Sequence, residues 1–101
     1  MKLLTKEIRS KLPKLYANEN KKPEDTQVIV KFFNPTGSWT WYATEFDGED
    51  TFFGFVRGFE GELGYFSLSE LESVKGPLGI GIERDRWFGR HTLDEVIEKQ
   101  L

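Results

Sequence analysis

Between residues 28 and 67 the chain carries four runs rich in β-branched and aromatic residues: Val28 to Phe33, Trp39 to Phe46, Thr51 to Arg57 and Glu62 to Ser67. Only turn-forming clusters separate them, namely Asn34-Pro35-Thr36-Gly37-Ser38, Asp47-Gly48-Glu49-Asp50 and Gly58-Phe59-Glu60-Gly61. Parallel neighbours need a crossover of a dozen or more residues, and connections this short leave no room for one. Consecutive strands must therefore pair antiparallel through hairpins. The spacing predicts a twisted antiparallel meander over 27–67.

The flanks read as helical. Leu4, Ile8, Leu12 and Leu15 recur near helical spacing, Thr5 is placed to cap, and Pro13 ends or kinks the helix that starts there. Residues 17–26 have no apolar period and read as a mobile polar loop. After the fourth strand, Ser69 to Val74 predicts one or two helical turns capped by Ser67 or Ser69. Lys75-Gly76-Pro77-Leu78-Gly79 stops them. Ile80 to Asp85 reads as extended. Thr92 to Gln100 is a helix opened by a Thr92/Glu95 capping box, with Leu93, Val96 and Ile97 on its apolar stripe.

The expectation is one α+β domain over 1–101, a meander of four to five strands. A basic N-terminal helix lies in 1–16 and the polar loop in 17–26. A short helix, an extended segment and a C-terminal helix fill 68–101. At 101 residues a single domain is the natural division.

Both faces of the predicted sheet are apolar. One face of the second strand is Trp39, Trp41, Ala43, Glu45, and the other is Thr40, Tyr42, Thr44, Phe46. The third divides into Phe52, Gly54, Val56 and Thr51, Phe53, Phe55, Arg57, and the first into Val28, Val30, Phe32 and Ile29, Lys31, Phe33. A half-solvated sheet would alternate apolar with polar. Either both faces are covered, or the sheet curls, or an aromatic face stays open to a partner. Aromatics make up 15% of the chain, so the question concerns much of its apolar area.

The net charge of −3 hides an asymmetry. Residues 1–23 hold seven Lys or Arg against two acids, net +5, and residues 24–101 hold seven against fifteen, net −8. Within 45–72 there are eight acids and only Arg57. The arginines return as Arg84, Arg86 and Arg90. The overall balance argues against general DNA binding, which draws on a basic surface.

Several chemistries lack their residues. With no cysteine and one histidine, His91, the chain has no disulfide, thiolate nucleophile or clustered thiolate or imidazole site. No apolar run is long enough to span a membrane. The N-terminal residues lack the apolar core of a signal peptide, so a cytoplasmic setting is expected. Gly76, Gly79 and Gly81 lack the lysine and preceding strand of a phosphate loop, and turning the chain is their expected work. No nucleophile elbow or dinucleotide fingerprint is present.

Trp39 through Gly54 and Glu62 through Leu71 are distinctive strings. With Leu3-Leu4-Thr5 near the start and Ile82-Glu83-Arg84-Asp85 near the end, the chain resembles a small bacterial family catalogued only as a domain of unknown function. The resemblance covers nearly the whole chain and implies carriage on plasmids, integrative elements and phages. It also implies that Glu45, Asp47, Asp50 and Asp85 belong to the family pattern. It assigns no catalytic residues.

The leading expectation is a non-enzymatic accessory protein that binds another macromolecule, as an inhibitor or adaptor. Trp39, Trp41, Phe53, Asp47, Glu49, Asp50 and Arg84 are its expected surface, with a protein as the partner and no cofactor. A second reading is a metal-assisted hydrolase or nuclease drawing on Glu45, Asp47, Asp50 and Asp85. A third is nucleic-acid binding through Lys2, Lys6, Arg9, Lys11 and Lys14 of the N-terminal helix. Oligomeric state stays open, since an exposed first or fourth strand can pair between copies.

Overall fold

A computed structural model of the chain describes residues 2–99 and 101. Helix α1 spans Lys6–Lys11. Strands follow as β1 (Gln27–Val28), β2 (Val30–Phe33), β3 (Thr40–Phe46), β4 (Thr51–Arg57) and β5 (Gly61–Ser67). Then come α2 (Leu68–Ser73), β6 (Glu83–Arg84), β7 (His91–Thr92) and α3 (Leu93–Glu98). The main sheet is antiparallel, in the order β5-β4-β3-β2-β6, and β1 pairs with β7 in a separate two-stranded sheet. The architecture is α+β, with the extended segment supplying the fifth strand.

The caps follow local chemistry. Thr5 accepts from the Ile8 N–H at 3.2 Å and Ser67 from the Glu70 N–H at 3.2 Å, each satisfying an orphan donor of a first turn. At α3 the Glu95 carboxylate reaches back to the Thr92 N–H at 3.1 Å. The predicted end of α3 at Gln100 lies outside the described residues. Of the basic residues assigned to the N-terminal helix, Lys2 precedes the Thr5 cap and Lys14 follows Pro13, so both lie outside it.

Two departures from simple alternation shape the sheet. The predicted first strand breaks at Ile29. Val28 joins the core that holds Tyr42, whereas Val30 and Phe32 join the core that holds Ala43. The second departure is a bulge in β3. Ala43 pairs with Gly54 and Glu45 with Phe53, leaving Thr44 as the extra residue. The Thr44 hydroxyl donates to the Phe53 carbonyl at 3.1 Å. Past the bulge the faces exchange. Phe46 follows Trp41 and Ala43 to one side, and Glu45 follows Tyr42 to the other.

Both faces are covered in the middle of the sheet. On one side Leu3, Leu4, Leu68, Leu71 and Ile82 close over Phe32, Ala43, Phe46 and Phe52. The Phe52 ring sits between Phe46 at 4.5 Å and Phe66 at 5.2 Å. On the other side Leu93, Val96 and Phe88 close over Val28, Tyr42 and Phe55. Arg57 ties α3 down by donating to the Val96 carbonyl at 2.6 Å, near the helix C-terminus where a cation is favoured.

Candidate functional site

The residues expected to form one binding surface are dispersed. Trp39 precedes β3 and is half-buried. It packs against Trp41 at 6.1 Å and edge-on to Phe59 at 5.5 Å, with Gly58 beneath its ring. Phe53 is on the opposite face of the sheet, edge-on to Tyr65 at 5.1 Å. Asp47, Glu49 and Asp50 lie in the β3–β4 turn, at the other end of β3 from Trp39. Arg84 donates to the carbonyls of Lys2 and of Leu3, the latter at 3.0 Å, and so holds the N-terminal segment down.

The acidic residues serve the backbone. One Asp47 oxygen accepts from the N–H groups of Glu49, Asp50 and Thr51 at 2.8–3.0 Å, an Asx-type turn. Asp50 accepts from the Ser67 hydroxyl at 2.6 Å and the Ser69 N–H at 2.8 Å, and so joins this turn to the start of α2. Asp85 pairs with Lys31 at 3.4 Å. The proposed metal set is therefore taken apart. Glu45 has crossed to the other face, Asp85 is at the opposite edge, and no cluster of three or more His, Asp or Glu suited to a metal ion exists among the described residues.

These bonds predict an acid limb. The Glu49, Thr51 and Asp50 N–H groups hold the Asp47 carboxyl below its ordinary value of 3.8, and the Ser67 hydroxyl does the same for Asp50. A depressed folded pKa adds stability above the unfolded value, and that stability is lost as pH falls through the folded one. The urea midpoint should fall as pH drops below about 3.8. Asp47→Asn should be less stable at neutral pH and show a shallower acid limb. Identical limbs in both proteins would refute the assignment.

Glu45 has a use that the sequence did not mark. It is 4% exposed, and its two oxygens accept from the Tyr16 N–H at 2.9 Å and the Asn18 N–H at 2.8 Å. The polar loop is thus tethered to β3, and Tyr16 is held with φ at +71°. The Tyr65 hydroxyl meets the Tyr16 hydroxyl at 3.4 Å, a bond that pushes the Tyr65 phenol above its ordinary value. A cleft of about 450 Å³ opens here, walled by Tyr16, Phe53, Leu63, Tyr65 and Leu93 with Glu45 at its floor.

This cleft borders β5, the outer strand. Strand β6 covers the β2 edge, but β5 ends the sheet. Along β5, Leu63 is 51% and Tyr65 54% exposed, and Phe59 in the preceding turn is 95% exposed. Edge strands in natural proteins are usually guarded by lysine, proline, a bulge or a covering element. Strand β5 has no lysine or proline, its only charged side chain is the exposed Glu62, and its pairing with β4 runs without a bulge from Gly61 to Ser67. The sequence marked the first and fourth strands as open edges, and the fourth remains one.

Residues 3–99 match the family model described as a protein of unknown function (DUF2958). No curated protein and no solved structure matches the chain.

Proposed function

The chain belongs to the DUF2958 family, whose description names no activity, and from its own geometry we propose that it is a binding protein that takes an extended segment of another protein onto the β5 edge. The observation that carries this reading is an edge strand guarded by a single charge, Glu62, with Leu63 and Tyr65 exposed beside an apolar cleft. An incoming strand would gain main-chain hydrogen bonds along β5 and place alternate side chains against Tyr65, Leu63 and Tyr16. Phe59 in the β4–β5 turn and Trp39 packed against it extend the apolar contact on the other face. The acidic turn and Arg84 have structural work and stand outside this surface. The bacterial mobile-element and cytoplasmic setting also belongs to the proposal, and rests on the sequence resemblance alone.

The test is panning of a displayed peptide library on the protein. Selected peptides should lose at least tenfold in affinity against a variant whose edge is guarded by Leu63→Lys and Tyr65→Lys. They should also protect β5 amides from hydrogen exchange in the native protein. Peptides that bind both proteins equally, or protect another strand, would overturn the edge assignment.

A further inference from the structure

The fold joins two basic segments that the sequence holds far apart. Two clefts lie side by side along α1 and the turn that follows β6. One, of about 320 Å³, is lined by Glu7 and Ile8 of α1 and by Arg84, Asp85 and Arg86. The other, of about 410 Å³, is lined by Lys11, Val28 and Arg90. Ile29 and Gly89 line both, so the two clefts are neighbours, two stretches of an interrupted groove. Its lining holds four cations and two acids. Each acid already has a cation, Glu7 with Lys11 at 3.3 Å and Asp85 with Lys31 at 3.4 Å. Arg86 and Arg90 are exposed.

The turn that lines these clefts with Arg86, Phe88, Gly89 and Arg90 also carries an exposed aromatic ring. Trp87 is 91% exposed, although tryptophan is among the side chains with most to gain from burial. Its neighbour Phe88 fixes this placement. Phe88 is buried against Tyr42 at 6.0 Å and His91 at 4.7 Å. The turn between them is closed by the Trp87 N–H donating to the Asp85 carboxylate at 2.9 Å and by Gly89 at φ +76°. Anchoring Phe88 inward leaves Trp87 outward, between the two exposed arginines.

The acidic β3–β4 turn lies on other ground. Arg9 reaches away from the groove to the Gly48 carbonyl at 2.6 Å, so α1 stands between the groove and the acidic β3–β4 turn. A negative net charge is therefore compatible with a basic groove.

We propose that the groove between α1 and the 85–90 turn binds single-stranded nucleic acid, with Arg86 and Arg90 along the phosphates and one base stacked on Trp87. Cationic grooves that track a backbone, combined with aromatic platforms, are how single strands are held without sequence preference. This site is separate from the β5 edge, and neither assignment depends on the other.

The test measures fluorescence anisotropy of a short labelled oligothymidylate. The wild type should bind, and affinity should fall steeply between about 50 and 200 mM salt. The Arg86→Ala/Arg90→Ala variant should lower the log–log salt slope by about 1.4, two phosphate contacts at about 0.7 each. Trp87→Ala should weaken binding by about five- to a hundredfold, the range for one stacked base. It should also abolish the fluorescence quench seen on binding, with Trp39 and Trp41 still emitting. All three substituted side chains are exposed, so an unchanged unfolding midpoint is expected and checks the fold. Absence of wild-type binding at about 50 mM salt would overturn the proposal. So would equal binding by both variants. Polyglutamate binding as tightly as the oligonucleotide, insensitive to Trp87→Ala, would replace nucleic acid with an acidic protein as ligand.

Discussion

Gly54→Ala is expected to cost at least about 3 kcal/mol, a large share of the roughly 5–15 kcal/mol that holds a small domain together. The cause is contact with backbone, since a Cβ at Gly54 would stand 1.8 Å from the Tyr42 carbonyl oxygen and 2.8 Å from its carbon. No side chain can rotate away to make room. The alternative is to move β3, the central strand, whose two faces carry both cores. Gly64 is the internal control. It pairs with Gly54 on the neighbouring strand, and a Cβ there would meet nothing within 4 Å. Gly64→Ala should be neutral or slightly stabilising, because alanine narrows the unfolded ensemble. Urea unfolding of both variants reads the difference, and a Gly54→Ala midpoint equal to that of Gly64→Ala would mean that β3 yields easily.

That pair of glycines shows where reading a sequence stops. Both stand inside predicted strands, and composition treats them alike. Only the register, with Gly54 opposite Ala43 just before the bulge, separates the glycine that must be one from the glycine that need not be. The meander itself was legible because four- and five-residue turn clusters admit only hairpins. Caps at Thr5, Ser67 and Thr92 were legible because capping is local chemistry. The site was not. Its assignment to Trp39, Phe53 and the acidic turn assumed that chemically notable residues gather. The strand period places Trp39 and Phe53 on opposite faces, and the carboxylates of Asp47 and Asp50 are occupied by N–H and hydroxyl donors in nearby turns. Conversely, the basic groove needed β6 to dock beside β2 before Arg86 and Arg90 could approach α1. A long-range pairing of that kind leaves no mark in local pattern.

Glu45→Ala is expected to cost about 2–4 kcal/mol, from two hydrogen bonds to a charged acceptor that leave their donors unmet. The alternation of β3 puts Glu45 on the face of Trp41 and Ala43, among apolar side chains. The Thr44 bulge turns it to the other face, where the Tyr16 and Asn18 N–H groups converge on its carboxylate. Removing the carboxylate strands both donors at the edge of the core. Glu45→Gln should retain part of the stability, because its amide oxygen can accept from one N–H while its NH₂ faces the other without a bond. The order expected in urea unfolding is therefore native, Gln, Ala. Hydrogen exchange should localise the loss to the amides of Tyr16 and Asn18 before the central strands respond. The consequence then reaches the surface. Tyr16 is positioned by this tether and forms the far wall of the cleft beside β5. A peptide bound along the β5 edge should thus lose affinity to Glu45→Ala even though the carboxylate is buried beneath the rim. Equal peptide affinity, with the loop amides newly exposed, would show that Tyr16 contributes nothing to the surface and that Leu63 and Tyr65 suffice.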